Sequence, residues 1–136
     1  MIVSTALLCL AINIFHEARG EFVPGQYGVA LVTMNRVHRS GKSVCDVVFE
    51  PKQFSWANNG VVKQGKGYKV TRGLQPQAID PVAWERSQKI AKVVLRGGFY
   101  DLTGGATFYH ARKVRPYWTK VFQKTTTLGR HVFYKM

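Results

Sequence analysis

The stretch Cys9–Glu21, CLAINIFHEARGE, runs from an almost unbroken apolar segment into a dense polar cluster. Just upstream and within it, Ala6, Leu7, Leu10, Ile14 and Ala18 recur at helical spacing, and Cys9, Ile12 and Phe15 cover most of the other faces. So wide an apolar surface predicts a helix buried inside a domain. Gly20 supplies its C-terminal stop. Glu17 therefore falls on the last turn of a buried helix. The helix macrodipole places partial negative charge at that end, and the apolar neighbours withhold water. Both effects favour the protonated carboxyl, so the position predicts an acid able to donate a proton near neutral pH. The competing reading of the same residues is an ion pair of Glu17 with Arg19 or His16 that merely caps the domain surface. His16-Glu17 does not continue into the zinc motif H-E-x-x-H, because position 20 is glycine.

The 136 residues are enough for one domain, 1–136, with one core. An apolar content of 46% excludes a disordered or fibrous chain. The net charge of +13 is uneven: no acid follows Asp101, whereas Arg112, Lys113, Arg115, Lys120, Lys124, Arg130 and Lys135 do. This asymmetry implies a polyanionic partner, whether nucleic acid, an anionic membrane or a cell wall with acidic polymers.

Met1–Phe15 is apolar enough to be compared with a signal peptide, but it has no basic start and no small-x-small cleavage site. It is too short to span a bilayer, and Asn13 interrupts it. The expectation is a chain made in the host cytoplasm without a cleavable signal and without a stable membrane span. Cys9 and Cys45 are too few for a disulfide framework and lie in apolar surroundings, so two buried thiols are expected, with one bridge as the alternative.

Past Glu21, a turn at Pro24-Gly25 precedes a second helix over Gln26–Arg39, with Tyr27, Ala30, Leu31, Met34 and Val37 on one face. Gly28 inside it points to a close helix contact. Gly41 ends it, and Ser43 caps a short helix, Val44–Phe49, halted before Pro51. In Gln53-Phe54-Ser55-Trp56 the residue types suit a sugar, whose C–H edges stack on aromatic faces while hydroxyls meet polar groups; for Trp56 a place in the core fits equally well, and for Phe54 it fits better. Asn58–Gln77 reads as a loop or irregular hairpin. Asp80-Pro81 starts a long helix through Arg96, stopped at Gly97-Gly98. Thr107, Tyr109 and His110 follow a glycine turn and present two hydroxyls and an imidazole from one extended segment, which on its own is equally an ordinary hairpin. Lys120–Lys135 is β-branched and alternating, with a turn at Gly129, and predicts a small hairpin.

Taken in order, HEARGE (His16–Glu21), GQYGVALVTMNRV (Gly25–Val37), SVCDVVF (Ser43–Phe49), QFSW (Gln53–Trp56), GGATFYH (Gly104–His110), Pro116 with Trp118, and HVFYK (His131–Lys135) resemble the cell-wall hydrolase family typified by spore-cortex-lytic enzymes of the SleB type. The resemblance runs nearly end to end. It implies an α+β, lysozyme-like fold, mainly helical with a small β-hairpin region. It also implies cleavage of peptidoglycan between N-acetylmuramic acid and N-acetylglucosamine, with Glu17 as the catalytic acid. Gln26, Ser55, Trp56, Thr107, Tyr109, His110 and Trp118 are then the expected substrate-binding residues. Spore members usually carry a signal peptide and a separate wall-binding domain, neither of which is expected here, and tend to have Asn where His110 stands. In this the chain resembles a phage lysis enzyme, with the basic surface holding it on anionic wall polymers. A monomer is expected.

Glycoside cleavage generally needs an acid and a second carboxylate. For the second, the sequence offers Glu21 and Asp101; Asp46, Glu50, Asp80 and Glu85 are better explained by capping or exposed surface. A lysozyme-type hydrolase would use one of the two. A lytic transglycosylase needs neither, because the muramic acid C6 hydroxyl attacks C1 and one carboxyl group serves as acid and then base. No metal and no cofactor are called for: the four histidines sit in unrelated segments, and Cys45 lies in an apolar run. The rival from another class is a basic nucleic-acid-binding module, which charge alone supports.

Overall fold

The computed structural model describes residues 1–50, 55–57, 60–98 and 100–136. Pro51, Gln53 and Phe54, and the side chain of Ser55, lie outside the described residues, so the sugar-stacking expectation for that segment is described only at Trp56.

Thr5 Oγ1 accepts the N–H of Leu8 at 3.2 Å and so starts helix α1 (Ala6–Ala18). Leu10, Ile12, Ile14 and Phe15 are fully buried, so the helix has no wet side along its middle. Each such side chain contributes about 1.5–3 kcal/mol when fully buried. Packed around α1 are α2 (Val23–Ser40), α3 (Val44–Val48) and α5 (Pro81–Arg96). Asn13 is the polar exception within α1. Its Nδ2 donates to Thr33 Oγ1 on α2 at 3.1 Å, and its Oδ1 accepts from Trp56 Nε1 at 3.4 Å. A buried amide satisfied on both sides fixes the register of the helix pair.

Helix α2 begins three residues earlier than the sequence predicted, because Pro24 enters its first turn instead of breaking the chain before it. Gly41, with φ 73°, ends it. Gly28 does mark a close approach, but to a strand and not a helix: a Cβ there would lie 2.6 Å from the Phe133 ring. The expectation for the cysteines is corrected. Cys9 on α1 and Cys45 on α3 form a disulfide, since two buried sulfurs meet where the short helix docks.

The first sheet has the antiparallel order β1-β3-β2, with β1 (Ile2–Val3), β2 (Val61–Gln64) and β3 (Gly67–Val70). Val3 faces Tyr68 and is fully buried, so β1 contributes this residue to the core. The irregular hairpin expected between 58 and 77 is β2–β3, followed by the short α4 (Pro76–Ile79). Asp80 Oδ1 then accepts the N–H of Ala83 at 3.0 Å and opens α5. The second sheet runs β4-β6-β5, with β4 (Phe108–Ala111), β5 (Gln123–Leu128) and β6 (His131–Lys135). Its β5–β6 hairpin is the one predicted at the C-terminus, and β4 adds an edge that pairs Tyr109 with Phe133. The result is an α+β fold, mainly helical, with two small antiparallel sheets. Among the described residues, no helix is long and apolar enough to cross a membrane.

Candidate active site

Glu17 emerges where α1 runs out of apolar neighbours. The contacts described for Arg19 and His16 lie elsewhere. The Arg19 guanidinium sits 4.6 Å over the Phe15 ring. His16 places Nε2 2.7 Å from the Leu74 carbonyl, to which it donates, and stacks on Trp56 at 4.4 Å. Glu17 is met from the second sheet: the Tyr109 hydroxyl donates to Glu17 Oε1. Burial pushes the Glu17 carboxyl above its ordinary value, against the opposing pull of the Tyr109 hydrogen bond and of the Arg36 charge. Burial and the neighbouring Glu17 raise the Tyr109 phenol well above its usual value, so it remains a donor. With Oε1 accepting from Tyr109, Oε2 is the oxygen on which a protonated Glu17 would carry its proton.

A cleft of about 650 Å³ opens beside Glu17, lined by residues 16–21, 111–113, 130 and 131. Glu21 also lines it, but Arg19 is not its partner. Arg130 Nε donates to Glu21 Oε2 at 2.7 Å and the Arg130 backbone N–H to Oε1 at 3.2 Å. These two hydrogen bonds fix the Glu21 carboxyl group in place and tie the turn after α1 to the start of β6. Gln26, buried on α2, donates from Nε2 to the Glu21 carbonyl at 2.8 Å and braces the same turn.

Strand alternation sorts the other expected residues. On β4, Tyr109 faces Glu17, so Phe108 and His110 face the opposite way. His110 is buried, with its ring 5.3 Å from Tyr134 and 5.7 Å from Trp118. Trp118 packs on Phe108 and Phe122 in that same cluster. Thr107 is buried, with Oγ1 unpartnered among the described residues. Trp56 is half-buried against the helical core and is absent from the walls of the Glu17 cleft. Asp101 is engaged in its own turn: Oδ1 accepts from Thr103 N–H at 2.8 Å and Thr103 Oγ1 at 2.6 Å, and Oδ2 from Asn35 and the Gly105 N–H, each at 3.0 Å. Although burial pushes its pKa up, these hydrogen bonds outweigh that and hold it low.

Three residues at the site were not picked out from sequence. Arg36 donates from Nε to the Thr107 carbonyl at 2.5 Å and acts on Glu17. Arg130 fixes Glu21. His131 lies beside both, its ring 5.1 Å from Tyr109 and Nδ1 3.8 Å from Glu21 Oε1. Burial lowers its pKa, Glu21 pulls it up, and Arg130 and His110 push it down, so the ring tends to neutrality. The signal for His131 lay in the HVFYK segment, whose strand period sets His131 and Phe133 on one face.

A buried acid, held by a phenol at the edge of an open cleft, is the arrangement of a glycan-cleaving enzyme. Residues 20–134 match the cell wall hydrolase family, and the chain belongs to that family. Glu17 lies just before the matched segment. The chain is similar to the catalytic domain of the germination-specific lytic transglycosylase SleB from Bacillus anthracis, with 25% identity over 96% of this chain and 93% of that one and a TM-score of 0.69. It is likewise similar to the catalytic domain of the Bacillus cereus SleB protein, at 25% identity over 96% and 90% of the two chains and a TM-score of 0.65. No curated protein matches the chain.

Proposed function

We propose that this protein is a lytic transglycosylase that cleaves the peptidoglycan strand between N-acetylmuramic acid and N-acetylglucosamine, with Glu17 as its one acid and base. The observation that carries the reading is the state of the carboxyl groups. Glu17 opens on the cleft with its pKa pushed up by burial. Glu21 in the same cleft is bound by Arg130, and Asp101 is consumed by its turn. Similarity to two SleB catalytic domains, one of them that of a lytic transglycosylase, supports the same reaction. Glu17 gives its proton to the glycosidic oxygen as the C1–O bond breaks, and the N-acetylglucosamine side leaves with a hydroxyl. Glu17, now a carboxylate, takes the proton of the muramic acid C6 hydroxyl as that oxygen closes on C1. The 1,6-anhydro ring forms without water, and Glu17 ends protonated again.

In this reading residues 1–136 are a single catalytic domain of lysozyme-like character, acting as a monomer, with the basic surface holding it on anionic wall polymers. The neighbouring Glu21 keeps a lysozyme-type hydrolase as the second reading, in which Glu21 would have to be released from Arg130 to activate water. The test is Glu17→Gln, which is isosteric but cannot deliver a proton. Activity on purified cell walls is expected to fall about 10²–10⁴-fold with the fold retained by circular dichroism. A folded variant keeping more than a tenth of the rate would remove Glu17 from the mechanism.

A further inference from the structure

The cleft beside Glu17 is far more basic than sugar recognition requires. Its walls carry Arg19, Arg112, Lys113 and Arg130 against Glu17 and Glu21. Arg130 and Glu21 neutralise each other. Burial keeps Glu17 toward its neutral form. Three cations remain, and none of them is paired with a carboxylate among the described residues. Arg112 and Lys113 are exposed and line the same cleft as Glu17, so a strand lying on Glu17 comes within their reach. Their wall is anchored: the Arg112 N–H donates to the Arg130 carbonyl at 2.8 Å, and Arg130 in turn grips Glu21. Neutral sugar rings call for aromatic faces and neutral polar groups, whereas planar carboxylates call for guanidinium and ammonium groups.

We propose that Arg112 and Lys113, with Arg19 lining the same cleft, form a carboxylate-binding rim that makes the enzyme select anionic glycan strands over neutral ones. The inference rests on the glycan-cleavage reading and names the substrate class of that site. Two sources supply the carboxylate: the lactyl group of muramic acid where the peptide has been removed, or the acidic residues of an attached peptide stem. Both present the same group within reach of a strand seated on Glu17.

The experiment compares three glycan preparations of matched length. One bears peptide stems, one is stem-free with its lactyl carboxylates, and one is stem-free with those carboxylates converted to carboxamides. Wild type, Arg112→Gln/Lys113→Gln and the charge-retaining Arg112→Lys are assayed for kcat and KM. Binding of each preparation to Glu17→Gln, with and without the rim substitutions, is measured in parallel. The rim predicts that wild type prefers carboxylate-bearing strands over carboxamide strands by roughly 10-fold, an effect of the size of one charge-assisted hydrogen bond, expressed in KM. The double glutamine variant loses that preference and Arg112→Lys keeps most of it. Whichever charged preparation leads identifies the source. Equal KM and equal affinity for charged and neutral strands would overturn the rim, as would a preference untouched by the double variant. Absence of turnover on all three would count against the glycan-cleavage reading alone, because affinity for Glu17→Gln still reports on the rim.

Discussion

Opening the Cys9–Cys45 bridge is expected to cost the fold much and the catalytic site little. The bridge spans a sequence separation of 36 residues. In the chain-entropy treatment, a loop of that length removes about 13 cal/mol/K from the unfolded chain, or about 4 kcal/mol at 25 °C. For a domain of this size each kcal/mol moves Tm by about 3–5 °C, so reduction should lower Tm by roughly 10–20 °C. Cys9 stands in the first turn of α1, whereas Glu17 is two turns further on, about 12 Å along the axis at 1.5 Å per residue. The bridge pins the start of the helix to α3, and the end that carries Glu17 is held by Tyr109 and the Leu74 contact of His16. The assay is a thermal melt by far-UV circular dichroism of oxidised and fully reduced protein, the latter verified by thiol titration, with wall lysis measured at 25 °C on both. A reduced protein whose Tm is unchanged would refute the staple. A reduced protein that stays folded at 25 °C yet loses its activity would refute the claim that the bridge acts away from the chemistry.

Two further substitutions follow from the site's geometry. Burial raises the Glu17 pKa while the Tyr109 hydroxyl and Arg36 pull it down, so Tyr109→Phe removes a downward pull and moves the pKa further up. Because bond cleavage needs protonated Glu17, the alkaline limb of the pH–rate profile should shift to higher pH; a downward shift, or none, would contradict the contact's role. In Gly28→Ala the new methyl would lie 2.6 Å from Phe133 Cζ and 3.1 Å from Leu128 Cδ1. Helix propensity returns about 1 kcal/mol, overpacking costs about 1–3 kcal/mol, and the net is a loss of up to about 2 kcal/mol in urea denaturation. Phe133 packs on Tyr109, so activity should fall with it. A Gly28→Ala protein more stable than wild type would show that the ring has room to move.

Helices α1, α2, α3 and α5 were legible because each announces itself locally, whereas the four-residue α4 was not. Thr5, Ser43 and Asp80 cap α1, α3 and α5 with their own side chains, and Gly41 stops α2 in a left-handed turn. Glu17 was legible for the same reason: an apolar helix that ends in a carboxylate states its burial and its strain in thirteen consecutive residues. Contacts between distant segments were not. Nothing near Glu17 in sequence says that its partner is Tyr109, 92 residues on, or that Glu21 would pair with Arg130 rather than the nearby Arg19. Strand alternation places Tyr109 and His110 on opposite faces, but only the packed sheet reveals which face meets the acid. The disulfide escaped for a similar reason, since two apolar neighbourhoods read alike whether or not their sulfurs meet.

The central claim is that one carboxyl group, Glu17, carries the whole reaction, and the released product tests it most directly. Purified peptidoglycan digested with the enzyme should yield muropeptides ending in 1,6-anhydro-N-acetylmuramic acid, lighter than a hydrolysis product by one water and inert to borohydride, because the C6 hydroxyl and not water attacks C1. Mass spectrometry showing mainly reducing ends that borohydride reduces would contradict the account and make Glu21, freed from Arg130, the base that activates water.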